Sequence, residues 1–252
     1  MTGASRGIGL FVATHLASVG ATVVGFARSS ESLVDEWMTV EQADVSDPEQ
    51  IASAFERATD RVGVPDLVVT FAGVAEALGP IQSVDVDDWW RAVEIDLRGT
   101  MLTVREALKT MLPVGAGRVV TVYGNLGDRQ GENVSAFACA KAGIARLTEM
   151  AAAEVAATGV VVLGIHPGFV RTPMTESLAW GEEGTTWLPS FGVGAEDRWG
   201  GAEAAADLVL RVASGEADEL SGRILRINDD IAALVHQSNE NSDHRRLRLD
   251  LD

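Results

Sequence analysis

Three glycines near the start of the chain, Gly3, Gly7 and Gly9, have the spacing of a loop that binds a diphosphate. They lie in the segment TGASRGIG, and the residues that follow predict a helix over 9–19. Glycines permit a tight turn and let phosphate oxygens approach the backbone, while a helix N-terminus attracts negative charge. A glycine pattern alone is weak evidence, so the interpretation depends on the rest of the chain.

A second group of candidate residues lies between Gly117 and Gly143. An apolar strand leads through a glycine-rich loop into an alanine-rich helix that carries Lys141. Tyr123, the only tyrosine in the chain, stands at the end of that strand and could exchange a proton with a ligand. Neighbouring side chains of a strand face opposite sides, however, so the simplest expectation is that Tyr123 points away from the site at Gly124.

The elements that must position these residues alternate between strands and helices. Strands are predicted at 21–27, 66–71, 118–123, 160–165 and 223–227, with a further strand region before Asp44, and helices at 9–19, 48–62, 85–112, 135–158 and 202–213. This alternation predicts an α/β fold with a mostly parallel sheet and helices on both faces. The sequence shows no repeat and no linker, so we expect residues 1–252 to form one domain.

The opening TGASRGIG and the segment from Gly117 to Lys141 resemble the short-chain dehydrogenase/reductase family. The resemblance extends to about Asp229 and implies a Rossmann-type doubly wound parallel sheet that binds a nicotinamide dinucleotide. It implies that Asp44 meets the adenine ring, that Lys141 holds ribose hydroxyls, and that the segment from Pro167 to Thr172 holds the carboxamide. The positions that match the cofactor site are Gly3, Ser5, Arg6, Gly7, Ile8, Gly9, Arg28, Asp44, Val45, Ala72, Gly73, Lys141, Pro167, Gly168, Val170 and Thr172.

The residues that transfer the substrate proton in that family are missing. Its tyrosine, four residues before the lysine, is replaced by Phe137, and its serine, thirteen residues earlier, by Gly124. An asparagine on the long helix is replaced by Asp96, and the family's Asn-Asn-Ala-Gly turn reads TFAG at 70–73. A positioned general acid contributes on the order of 10²–10⁴ in rate, so we expect ordinary ketone reduction to be slow. The remaining catalytic candidates are Lys141, Tyr123 and Asp96.

The residues after the second strand favour NADP(H) over NAD(H). Members of the family that use NAD usually carry an acid there, which binds the ribose 2′-hydroxyl. This chain has Phe26, Ala27 and Arg28 instead. Arg28 and Arg6 could pair with a 2′-phosphate through two parallel hydrogen bonds, or could be solvated surface residues.

The glycine loop has only Met1 before Thr2, whereas such a loop normally follows a strand. The first strand is therefore missing or truncated. We expect the natural polypeptide to begin upstream of Met1, or the strand's place to be taken by another segment or subunit.

Two segments are predicted to be irregular. Residues 172–200 correspond to the family's lid over the substrate and contain several aromatic residues, which suit a bulky apolar substrate or ordinary lid packing. The charged tail at 237–252 is predicted to be mobile.

Composition excludes several classes of function. The net charge of −17 argues against binding to nucleic acid or to anionic membranes. A single cysteine, Cys139, fits a reducing compartment, here the cytoplasm, and no apolar run approaches the length of a membrane span. The four histidines have no ligand spacing, so we expect no metal site.

Three hypotheses for the function remain open. The first is an NADP(H)-dependent oxidoreductase that acts on a carbonyl, an alcohol or a conjugated C=C bond of a bulky apolar substrate. The second is a non-redox enzyme on the same scaffold, such as a cyclase, dehydratase or epimerase. The third is a catalytically silent cofactor-binding protein or partner subunit. The family usually assembles through the long helix and the lysine-bearing helix, so we also expect a homodimer or homotetramer.

Overall fold

A computed structural model of the protein describes residues 1–28, 38–127 and 131–240. Strands in these ranges are β1 (Val23–Ala27), β2 (Met38–Gln42), β3 (Leu67–Thr70), β4 (Gly117–Val122), β5 (Val160–His166) and β6 (Ile224–Arg226). Helices are α1 (Gly7–Ser18), α2 (Pro48–Val62), α3 (Val86–Val93), α4 (Gly99–Met111), α5 (Ser135–Glu154), α6 (Pro173–Trp180), α7 (Glu182–Trp187), α8 (Ala195–Arg198), α9 (Glu203–Ala213) and α10 (Ile231–Glu240). The predicted alternation of strands and helices is confirmed.

All strand pairs in the described residues are parallel. Strand β1 pairs with β2, and β3, β4, β5 and β6 follow one another in a second group. Thr2 connects the two groups through parallel bridges to Phe26 and Thr70. The Phe26 N–H donates to the Met1 carbonyl over 2.7 Å, and the Thr2 N–H donates to the Val69 carbonyl over 3.0 Å. Met1 and Thr2 thus lie between β1 and β3, at the place that the resemblance gives to the first strand.

Helices cover both faces of the sheet, as a doubly wound fold requires. On one face, α1, α9 and α10 bury an apolar cluster that includes Val12, Leu208 and Ile231. On the other face, α2, α4 and α5 bury a second cluster that includes Phe55 and Met111. These side chains recur every three or four residues along their helices, so each helix turns one apolar stripe toward the strands.

The long helix predicted over 85–112 is continuous but changes its winding in the middle. A π-helical turn, Glu94–Arg98, joins α3 to α4. A π-helical turn holds one more residue than an α-helical turn and redirects the side chains within it. Asp96 lies in this turn, and its Oδ1 accepts a hydrogen bond of 2.7 Å from the Val74 N–H.

Two predictions about irregular segments are wrong in part. The lid region contains the three short helices α6, α7 and α8, because Thr172 caps α6 with its side chain and aromatic residues pack across the segment. The first four residues of the predicted mobile tail belong to α10, whose Ile231 and Leu234 are buried. Residues 241–252 lie outside the described part of the chain. No helix in the described ranges is long and apolar enough to cross a membrane.

Substitution of Gly3 tests whether the turn at this position requires a glycine. Gly3 has φ +64°, and a Cβ there would lie 2.5 Å from the Ala72 backbone nitrogen. We expect Gly3→Ala to lower the free energy of unfolding by about 3 kcal/mol, from left-handed strain plus backbone overlap. Urea denaturation followed by circular dichroism measures the loss.

Gly20→Ala is the matched control, because Gly20 has φ +97° and a Cβ there would meet no atom within 4 Å. It should cost about 1 kcal/mol, the strain contribution alone. Equal losses in the two variants would show that the contact between the Gly3 turn and the 71–72 backbone is unimportant.

Candidate active site

A cleft of about 500 Å³ opens along the carboxyl ends of the strands. Open parallel sheets bind their ligands at this edge. Every residue that the sequence assigns to a cofactor site lines this cleft except Val170. Val170 is buried beside it, where it bridges Gly200 and its carbonyl accepts a hydrogen bond from the Thr175 hydroxyl.

The glycine loop has the geometry of an anion-binding turn. Gly3 and Gly7 both have positive φ, at 64° and 58°. A Cβ on Gly9 would overlap the Gly3 carbonyl, so the three glycines allow the loop to pack closely on the start of α1. Arg6 caps α1 without a side-chain hydrogen bond, and the first turn contains no acid. The first N–H groups of the helix therefore face the cleft without a competing carboxylate, which suits a diphosphate.

Polar groups of both charges lie at the end of the cleft formed by β1 and β2. Asp44 lines this end, and its Oδ1 accepts hydrogen bonds from the Ser46 N–H and hydroxyl over 2.9 and 2.7 Å. Arg6 and Arg28 also line it and are exposed. Because both side chains are exposed, their guanidinium groups are accessible to an anionic ligand.

The opposite end of the cleft is formed by the loop after β5. Gly168 has φ +84°, and a Cβ there would lie 2.6 Å from the Ile227 side chain. The Gly168 N–H donates to His166 Nδ1 over 3.1 Å, which fixes the turn. Thr172 then caps α6 in a reciprocal arrangement with Thr175. This loop holds Thr172 and Met174 against the cleft opposite Lys141.

Lys141 lies at the floor of this end with two oxygen partners. Its Nζ donates to the Val122 carbonyl over 3.3 Å and lies 3.6 Å from Asp96 Oδ2. Lys141 is 7% exposed and Asp96 is 1% exposed. Burial raises the pKa of Asp96 above its ordinary value, and this effect exceeds the opposing influences of Lys141 and the Val74 N–H. Asp96 does not itself line the cleft but supports Lys141 from behind.

The positions of the two missing hydroxyls face each other beside Lys141. A Cβ on Gly124 would lie 3.3 Å from the Phe137 ring and 3.4 Å from Lys141 Cγ. The Lys141 Nζ lies 5.2 Å from the centroid of the same ring. The three residues therefore form one group, as their spacing in the sequence implies. Neither Phe137 nor Gly124 can donate a proton.

Tyr123 lines the cleft, and its ring lies beside Gly127. The residue is 3% exposed, and a Cβ on Gly127 would lie 2.5 Å from Tyr123 Cε2. The ring centroids of Tyr123 and His166 are 6.5 Å apart at an angle of 63°. The phenol is thus held between the loop after β4 and the end of β5.

Two further polar residues that follow Gly124 in the chain, Asn125 and Ser135, lie in the described part of the structure. The Ser135 hydroxyl accepts a hydrogen bond from Trp89 Nε1 over 2.9 Å. Asn125 begins a 3₁₀ turn after Gly124. Asp128, the third, lies outside the described residues. No group of three metal-binding side chains occurs in the described parts of the chain.

Residues 172–200 are tied to the loop before α5 by contacts that the sequence did not reveal. The Asn133 side chain donates to the Trp187 carbonyl over 2.9 Å, and the Gly79 N–H donates to the Asn133 carbonyl over 2.9 Å. Asn133 and Ala77 have φ of 62° and 58°. Asparagine adopts positive φ more readily than most residues, so an asparagine shortly before a predicted helix was the signal available in the sequence. That signal does not reveal the distant partner.

Comparison with known proteins agrees with this geometry. The family model described as short chain dehydrogenase matches residues 1–183. The cis-4-hydroxycyclohexanecarboxylate dehydrogenase of Sinomonas cyclohexanicum is 34% identical over 245 residues, which cover 93% of this chain and 96% of the relative.

Solved structures extend the likeness to three dimensions. Levodione reductase superimposes with a TM-score of 0.80 at 29% identity, covering 90% of this chain and 93% of the other. An actinorhodin polyketide ketoreductase with NADPH superimposes with a TM-score of 0.79 at 26% identity, covering 89% and 93%. The family model and the relative match most of the chain, and the sheet and the cleft agree with them. The chain therefore belongs to the short chain dehydrogenase family of oxidoreductases.

Proposed function

We propose that the protein binds NADP(H) in this cleft and is an oxidoreductase for a carbonyl, an alcohol or a conjugated C=C bond of a bulky apolar substrate, without the family's usual tyrosine and serine hydroxyls. The proposal rests on one observation. The loops that suit a dinucleotide line the cleft, while Phe137 and Gly124 face Lys141 where the family has its two hydroxyls.

The residues present fit a dinucleotide. The turn at Gly3 and Gly9 leaves no room for side chains, and the N-terminus of α1 is free of acids. Arg6 and Arg28 supply two guanidinium groups at the end where a ribose 2′-phosphate would lie, which favours NADP(H) over NAD(H). The related ketoreductase with NADPH supports the same choice.

The environment of Lys141 favours substrates that need no immediate proton from the protein. A bound nicotinamide supplies or accepts the hydride. Val74, Phe137 and Met174 form an apolar wall that orients the substrate and excludes water. Hydride addition to a ketone leaves an alkoxide that must be protonated at once, whereas addition to a conjugated C=C bond leaves a delocalised anion. A delocalised anion can persist until water supplies the proton, so a conjugated C=C bond is the preferred reacting group.

The names of two relatives support a cyclic substrate. One relative is a hydroxycyclohexanecarboxylate dehydrogenase and one structural neighbour is a levodione reductase. We include ring ketones, ring alcohols and cyclic enones in the proposed substrate class for this reason.

A catalytically silent protein is the second candidate, because the same loss of hydroxyls removes turnover without removing the cleft. A non-redox cyclase, dehydratase or epimerase would use the apolar wall alone. Fluorescence transfer from tryptophan to NADPH reports binding, and the absorbance of NADPH reports consumption over a panel of ketones and enones. Binding without consumption across the panel would favour the silent protein or the non-redox enzyme.

We also propose that the chain assembles as a homodimer or homotetramer in the cytoplasm. Met101 of α4 and Met150 of α5 are exposed apolar residues on the two helices through which the family assembles. Light scattering on the purified protein measures the number of subunits.

Substitution of Arg6 and Arg28 tests whether the cleft prefers NADP(H) to NAD(H). We expect Arg6→Ala and Arg28→Ala each to weaken NADPH binding about 10-fold, or about 1.4 kcal/mol, and to change NADH binding little. Each removes a group placed for the 2′-phosphate, which NADH lacks. Isothermal titration of both cofactors measures the effect. Arg91→Ala, an exposed arginine of α3 away from the cleft lining, is the control. Equal losses for the two cofactors would contradict the assignment to the 2′-phosphate.

Restoring the hydroxyls tests the proposed chemistry. We expect Phe137→Tyr combined with Gly124→Ser to raise ketone reduction by about 10²-fold, the lower range for a positioned general acid. The contacts of 3.3 and 3.4 Å at Gly124 require only small shifts to admit serine.

Phe191→Tyr serves as the control, since it adds a hydroxyl in the lid rather than beside Lys141. If the double variant binds NADPH and gains no ketone reduction, the site differs from its relatives in more than two hydroxyls.

A further inference from the structure

A buried carboxylate that the proposed chemistry does not use lies behind Lys141, outside the lining of the cleft. Asp96 lies in the π-helical turn between α3 and α4, and only 1% of its surface is exposed. Its Oδ1 accepts the Val74 N–H, and its Oδ2 has no hydrogen-bond partner in the described residues. The charged group nearest to Oδ2 is the Lys141 ammonium, at 3.6 Å.

This pairing changes the charge of the reaction site. A buried lysine alone would place a full positive charge at the floor, whereas an ionised Asp96 beside it makes the pair neutral. The charges that act on Asp96 come from Lys141 of α5 and from Glu76 of the loop after β3, and Glu76 is exposed to solvent. Water screens Glu76 strongly, so the buried partner dominates.

The nicotinamide ring differs in charge between its two redox states. The oxidised ring carries one positive charge, and the reduced ring is neutral. Lys141 alone would repel the oxidised ring, and the repulsion is strong where water is excluded. A neutral Asp96–Lys141 pair removes most of that repulsion.

We propose that Asp96 sets the preference of the site between the two redox forms, by allowing it to hold the oxidised, positively charged nicotinamide. Asp96 is a positioning and charge-balancing residue that acts through Lys141. The inference rests on the proposed binding of NADP(H), and it extends that function to the retention of NADP⁺, as a dehydrogenase direction requires.

Asp96→Asn tests the inference by removing the charge while keeping an oxygen that can accept the Val74 N–H. We expect the dissociation constant for NADP⁺ to rise about 10-fold relative to that for NADPH, or about 1.4 kcal/mol, the scale for two charges about 12 Å apart at an effective dielectric constant of about 20. Isothermal titration with each cofactor gives the ratio without any substrate. A purely structural role would weaken both forms equally and leave the ratio unchanged.

Glu94→Gln is the matched control, since Glu94 is an exposed carboxylate of the same π-helical turn. It should leave the ratio unchanged. Lys141→Met removes the charge that opposes the effect of burial on the pKa of Asp96, so Asp96 should be protonated in this variant. Asp96→Asn should therefore leave the ratio unchanged in this background, and a change there would contradict action through Lys141.

A pH titration of the unmodified protein makes the same test without a substitution. Burial raises the pKa of Asp96, so acidification protonates it before an exposed aspartate. The affinity for NADP⁺ relative to NADPH should fall as pH is lowered, and should stay flat in Asp96→Asn. The 2′-phosphate titrates in both cofactors, so its effect cancels in the ratio.

The outcomes distinguish a failure of the proposed function from a failure of the inference about Asp96. If neither cofactor binds the unmodified protein, the proposed function fails. If both bind and the ratio is the same in Asp96→Asn, the inference about Asp96 fails alone. Should Asp96→Asn not fold, a ratio independent of pH in the unmodified protein would overturn the inference.

Discussion

The cleft depends on the close contact between the turn at Gly3 and the backbone at Phe71 and Ala72. A side chain at Gly3 would lie within 2.6 Å of the Phe71 carbonyl carbon, so only glycine lets the two segments meet. This contact brings the N-terminus of α1 to the edge of the sheet, between the ends of β1 and β3. The anion-binding end of the helix and the ends of the strands then face the same space, which is the arrangement that a dinucleotide needs.

Binding and chemistry are separable in this site because different atoms supply them. Backbone N–H groups and two arginines line the end of the cleft at β1 and β2, and none of them depends on Phe137 or Gly124. At the reacting end, the aromatic ring of Phe137 fills the volume beside Lys141 without a hydroxyl. The scaffold therefore retains its shape where proton transfer would normally occur. The carboxylate of Asp96 then determines the charge that Lys141 presents to the cleft.

Sequence reasoning predicted the features that follow from local pattern. The alternation of apolar strands and amphipathic helices indicated the doubly wound fold, and the spacing of Gly124, Phe137 and Lys141 predicted that the three would meet. The π-helical turn at Asp96 was not predicted, because the apolar stripe along 85–112 keeps a helical period through it. The lid helices were missed because they are short and are stabilised by contacts between aromatic rings distant in sequence. The tie between Asn133 and Trp187 also joins residues far apart in the chain.

The hydrogen bond between Asn133 and Trp187 has a consequence for how the sequence of α7 can vary. Asn133 binds the main-chain carbonyl of Trp187, and an oxygen of this kind is present whatever amino acid stands there. The anchoring of α7 is therefore largely independent of the chemical identity of the residues that α7 exposes. Substitutions within α7 can thus change the surface that it presents, while the loop before α5 keeps the same hydrogen bond.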